Sequence, residues 1–173
     1  MDNTVMSIIA IFLAAILMFI FPLMSTADRG DDISQQAVQT ATTEFVDDIR
    51  STGKITQDKY DNFLSTLAQT GNSFDVDLQV EVLDANSRKK TQQASSSKVG
   101  ETEYYTEYNS QIMEQMKNNG TYNLKEGDIV TATVKNTNKT IAQILRNFFY
   151  QVTGNNTYNI AAQHSGIVNV NGK

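Results

Sequence analysis

The sequence predicts an α+β fold: a long N-terminal hydrophobic helix, or spine, carrying a small head of three to four mainly antiparallel strands with packed helices. Three observations predict it. Val5 to Met24 is apolar and carries no charge, apolar residues then recur every four positions from Ile33 to Ile49, and Phe74 to Val82 alternates strictly between apolar and polar. The first two are helical signals and the third is the period of a half-buried strand. The spine is placed at residues 1–52 and the head at 53–173.

The first element reads VMSIIAIFLAAILMFIFPLM, with Ser7 its only polar side chain. At 1.5 Å per residue this run reaches about 30 Å, the thickness of a bilayer's hydrocarbon core. A cleavable secretory signal is the main rival, because Ser25, Thr26 and Ala27 precede Asp28 as small residues before a cleavage site would. Such signals open with Lys or Arg, whereas only Asp2 is charged among the first four residues here. Pro22 lacks an amide donor and Gly30 loosens the backbone, so residues 21–32 are the expected kink or unwound stretch, with Pro22 and Gly30 as its hinge. Beyond it Ile33, Ala37, Ala41, Phe45 and Ile49, with Val38 and Val46 alongside, form the stripe that packs on the head.

Gly53 ends the spine, and Thr56 caps a second helix that carries Tyr60, Phe63, Leu64 and Leu67 and closes at Gly71. The strand over 74–82 follows, then a polar loop over 85–102. Tyr105, Tyr108, Ile112 and Met116 keep helical spacing up to Gly120, and Lys125 to Asp128 turns the chain into a strand over 129–135. Asn136 to Asn138 offers capping chemistry for a helix whose stripe is Ile141, Ile144, Leu145, Phe148, Phe149 and Val152. Gly154 ends that helix, and residues 158–170 read as one or two final strands interrupted at Ser165-Gly166.

Composition narrows the function classes. A net charge of -5 and a pI near 4.8 argue against a nucleic-acid partner, and Arg88, Lys89 and Lys90 are a short basic group in a polar loop. Without cysteine there is no disulfide, thiolate metal site or cysteine nucleophile. His164 is the only histidine, and its neighbours Gln163 and Ser165 belong to the opposite face of a strand, which leaves no serine triad around it. Glu44, Asp47 and Asp48 sit on adjacent helical turns but read as a solvated acidic face. No catalytic residue, cofactor or metal is expected.

The apolar helix beginning almost at residue 1 and meeting a proline, Met6 to Pro22 as MSIIAIFLAAILMFIFP, and its amphipathic continuation to Arg50 under an α+β head resemble a type IV pilin or pilin-like protein, including the tight-adherence branch of that superfamily. The resemblance implies a structural subunit, held in the cytoplasmic membrane and then assembled by pilus machinery into a cell-surface homopolymer. It implies a self-assembly core of Val5, Ile8, Ile9, Phe12, Ala14, Ala15, Ile16, Phe19 and Pro22. Pilins usually place a glutamate near the mature N-terminus to pair with a neighbour's terminal amine. Val5 occupies that region here, which leaves Asp2 as the carboxylate for such pairing. The alternative is a single-pass membrane-anchored accessory protein of a secretion or conjugation machine.

Overall fold

The structure is a computed structural model and describes residues 2–84, 104–150 and 160–172. In chain order the elements are α1 (Asp2–Thr52), β1 (Lys54–Thr56), α2 (Gln57–Ala68), β2 (Phe74–Leu83), β3 (Tyr104–Tyr108), α3 (Asn109–Asn119), β4 (Thr121–Asn123), β5 (Ile129–Asn136), α4 (Ile141–Tyr150) and β6 (Ala161–Ile167). The fold is α+β as expected. A four-stranded sheet runs in the order β3-β2-β5-β6 with every neighbouring pair antiparallel, and β1 and β4 form a separate two-stranded ribbon.

Strict alternation gives the sheet one dry face. Val76, Leu78, Val80 and Val82 of β2 are buried beside Val130, Ala132 and Val134 of β5, while Asp75 and Glu81 stay exposed. The second half of α1 joins this core through Val38, Ala41, Phe45, Val46 and Ile49. Phe45 stacks on Phe63 of α2 with ring centroids 4.3 Å apart and the rings nearly coplanar in orientation. Ile112 and Met116 of α3 are also buried in it.

The spine lies along the edge strand β6. Gln35 grips Ala161 from both sides, donating to its carbonyl at 2.7 Å and accepting from its amide at 3.0 Å. Arg50 Nε donates to the carbonyl of Ile167 at 2.9 Å, and the Arg50 carbonyl accepts from the amide of Asn169. Fifteen helical residues rise about 22 Å and six strand residues about 20 Å, so helix and strand keep pace. An edge that would otherwise offer free backbone groups is thereby covered.

Several expectations change. Residues 21–32 are neither kinked out of helix nor unwound: α1 is continuous through Pro22 and Gly30. The cause lies in the head, because Asp28, Asp31 and Gln35 all hold contacts to it, and i, i+3, i+7 spacing places them together only while the segment is helical. The packed stripe is also rotated from the one expected. Ile33 and Ala37 are exposed, and the inward positions are Asp31, Val38, Thr42, Phe45 and Ile49. The first is a buried carboxylate that a hydrophobic pattern passes over.

Tyr104 to Tyr108 is a strand and not the start of a helix. It pairs with Gln79–Leu83, and α3 begins only at Asn109, where Gln111 accepts the Tyr108 amide at 2.9 Å. Strand β6 passes through Ser165 and Gly166 unbroken. Gly166 is there because a Cβ would lie 2.3 Å from Cδ of Arg50, so the glycine makes room for the spine. Asn136 to Asn138 do not cap α4. Asn138 instead accepts from the Ser73 amide at 2.8 Å and donates to Asn72, fixing the turn before β2. The loop over 85–102 with its Arg88, Lys89 and Lys90, and the positions Val152, Gly154 and Tyr158, lie outside the described residues.

Candidate membrane and assembly segment

The first half of α1 stands clear of the head. Val5, Ile8, Ile9, Phe12 and Phe19 are each more than half exposed, Ala14, Ala15 and Pro22 are exposed, and Ile16 is shielded only in part. These positions go all round the helix, so no single orientation against the head could hide them. Asp2 is the first helical residue, and its side chain lies outside the described set.

The segment is satisfied in every respect except its apolar surface. Ser7 donates to the carbonyl of Asn3 at 2.8 Å and Thr26 to that of Pro22 at 2.9 Å, so both hydroxyls are served within the helix. Pro22 withdraws one amide from the carbonyl of Met18, and the helix continues on both sides of that gap. Helix α1 is long and apolar enough to cross a membrane, and none of its apolar window is buried. Twelve large apolar side chains between Val5 and Leu23 are exposed. Taking roughly half of the ~1.5–3 kcal/mol that full burial of each contributes leaves on the order of 10–20 kcal/mol unrealised. That is as large as the whole stability of a typical domain, about 5–15 kcal/mol. A lone subunit in water is therefore not the working state of this chain.

The junction between this segment and the head is built from polar residues. Asp28 pairs with Arg146 of α4 at 2.6 Å, and buried Asp31 accepts from the Thr140 hydroxyl at 2.7 Å. Thr140 also caps α4: its hydroxyl accepts the Gln143 amide and the Gln143 side chain accepts the Thr140 amide, both at 3.2 Å. This reciprocal arrangement is the capping box, and its signature Thr-x-x-Gln stands in the sequence one residue before the apolar stripe. Reading the sequence for asparagine caps missed it, along with Asp28, Asp31, Gln35 and Arg146.

Helix α4 does not bury its expected stripe. Ile141 and Ile144 are exposed, while Ala142 and Gln143 face inward. The side chains of Phe148 and Phe149 lie outside the described set.

The acidic residues of α1 are each occupied separately. Asp47 pairs with Arg50 at 2.8 Å and Asp48 with Lys59 at 2.6 Å, while Glu44 is exposed. His164 lies on the core face of β6 with Nε2 3.7 Å from Asp47, and Ser165 points to the other face, where its hydroxyl meets that of Thr131 at 2.8 Å. Among the described residues no group of acidic or histidine side chains is placed to hold a metal ion. Tyr122 donates to the Glu107 carboxylate at 2.9 Å, and burial first, then that hydrogen bond, pushes its phenol far above the ordinary tyrosine value.

No family model, curated protein or solved structure matches this chain.

Proposed function

We propose that the chain is a structural subunit of a type IV pilus-like extracellular filament. It would wait in the cytoplasmic membrane and then be drawn by assembly machinery into a helical polymer of itself. One observation carries this reading: a single helix of 51 residues has an apolar first half wholly free of the head and a second half that is part of the head's core. Such a subunit can exchange lipid for copies of its own helix while its head stays folded, keeping Val5 to Leu23 dry throughout.

Replacing Ala14 by Arg tests it. On an insertion scale one central Arg costs about 2.5–3.5 kcal/mol, against roughly 0.3–0.6 gained by each Leu, Ile, Phe or Val. Twelve of those residues lie between Val5 and Met24, so the variant still enters the membrane. In a packed core of helices the same charge has no partner and recurs in every subunit. Electron microscopy of sheared surface material should therefore show filaments for the native chain and none for Ala14→Arg, with both chains present in the membrane fraction. Unchanged filaments in the variant refute the packed core.

A second reading is a membrane-anchored accessory protein of a secretion or conjugation machine. It is favoured by Val5, which stands where pilins carry their glutamate, and by the head's grip on both sides of Gly30. Under it the native chain stays in the membrane fraction and sheared material contains no filament of it.

A further inference from the structure

Helix α4 is amphipathic in an unusual place. Its exposed Ile141 and Ile144 are three residues apart and share one side of the helix, and Ala142 and Gln143 turn towards the head. Arg146 is its only charged residue and is paired with Asp28. Two isoleucines left in water beside an ordered core need a reason, and their height along α1 supplies one.

That height follows from the contacts. Asp28 and Asp31 lie four and seven residues beyond Met24, so at 1.5 Å per residue they stand about 6 and about 10 Å past the end of the apolar run. A bilayer adds roughly 5–8 Å of headgroup region on each side of its hydrocarbon core. Thr140 is tied to Asp31 and Arg146 to Asp28, so α4 descends towards the apolar segment as it runs from its cap. The lower part of α4 is at headgroup level whenever Val5 to Met24 spans a bilayer.

We propose that α4 is an interfacial helix. Ile141 and Ile144 rest at the boundary between headgroups and acyl chains, and the head is thereby seated on the membrane and not merely tethered to it. The binding is apolar in character, since the helix brings a single, already paired cation and the chain as a whole is acidic. This inference rests on Val5 to Met24 spanning a bilayer and is indifferent to whether filaments form. A second copy of the chain is the competing occupant. Continuity with the apolar segment favours lipid, because the same bilayer that covers α1 reaches α4 without further assembly.

The chain contains no tryptophan, so single-tryptophan variants report without background. Full-length Ile144→Trp and, separately, Phe12→Trp would be reconstituted into phosphatidylcholine vesicles. Each would be titrated with lipids bearing a nitroxide either near the headgroup or near the acyl-chain end. The expected result is blue-shifted emission from Ile144→Trp, quenched at least twofold more by the shallow label than by the deep one. Phe12→Trp should show the reverse preference. Ile144→Trp unquenched by both labels, with Phe12→Trp quenched, overturns the interfacial helix and leaves the span intact. Phe12→Trp unquenched removes the span and the interfacial helix with it. A blue shift that grows with protein density and without quenching assigns the face to a second copy, which also overturns the proposal. Ile141→Trp repeats the measurement on the neighbouring turn, and it must agree.

Discussion

Replacing Gly53 by Ala should cost far more than the same change at Gly71, although both glycines are left-handed, with φ of 67° and 78°. At Gly71 an added Cβ meets nothing within 4 Å, so the penalty is that of the backbone conformation alone, about 1–2 kcal/mol. At Gly53 the same Cβ lies 2.5 Å from the amide nitrogen of Gly172 and 2.5 Å from the carbonyl oxygen of Val170, both main-chain atoms. Relief requires the segment 170–172 to move away. That movement strains the hydrogen bonds from Gly172 to Leu124 and from Leu124 to Gly53, both 2.8 Å, each contributing about 0.5–1.5 kcal/mol. The sum for Gly53→Ala is roughly 2–5 kcal/mol, against about 1–2 for Gly71→Ala. Urea unfolding of the full chain in detergent micelles, followed by tyrosine fluorescence, measures both. With a slope near 2 kcal/mol per molar urea, typical for small domains, the Gly53 variant should lose about 1–2.5 M in midpoint. Equal midpoints for the two variants refute the claim that residues 170–172 are packed against the end of the spine.

Two further outcomes follow from the core and its ionisable groups. Phe45→Ala removes the ring stacked on Phe63 and should destabilise the head by about 3–5 kcal/mol in the same urea assay. A loss below about 1 kcal/mol would mean that α1 is not part of the core. Tyr122 has its folded-state pKa raised, so the folded protein keeps a proton that the unfolded chain releases above the ordinary value of about 10. Its contribution to stability is complete below that pH and falls as pH rises beyond it, by up to about 1.4 kcal/mol per pH unit. Thermal midpoints taken from pH 8 to 11 should decline less steeply for Tyr122→Phe than for the native chain. Parallel declines would show that Tyr122 is not held neutral by its surroundings.

What could be read from the sequence depended on how local its cause was. Val5 to Met24 and Phe74 to Val82 announce themselves because each residue's environment repeats with a short period. Tyr104 to Tyr108 was misleading because Tyr105, Tyr108, Ile112 and Met116 fall at helical spacing by coincidence, while pairing with Gln79–Leu83 decides the matter from a distance. The three-residue strands β1 and β4 have no period to detect and exist through their mutual pairing alone. Hydrophobic pattern located α4 correctly but pointed its stripe inward. Amphipathicity reports that two faces differ, and it is silent on which one meets the head. Pro22 and Gly30 weaken a helix locally, yet the contacts of Asp28 and Asp31 outweigh that tendency, and those polar residues leave no mark in an apolar pattern.

The seating of α1 along β6 has a consequence for how the protein is made. Residues 33–49 leave the ribosome early, whereas Ala161 to Ile167, which cover them, follow every other described element in chain order. Gln35 and Ala161 are 126 positions apart, and at roughly 5–20 residues per second that interval lasts about 6–25 seconds. Through this delay the amphipathic half of α1 has no final partner, and closure of the head must wait for its most distant contacts, a slow class of folding event. An apolar half already lodged in a membrane would keep the waiting segment away from its own copies. The order of synthesis thus gives the first half of the helix a task before any assembly begins: it holds the chain apart from itself until the last strand arrives.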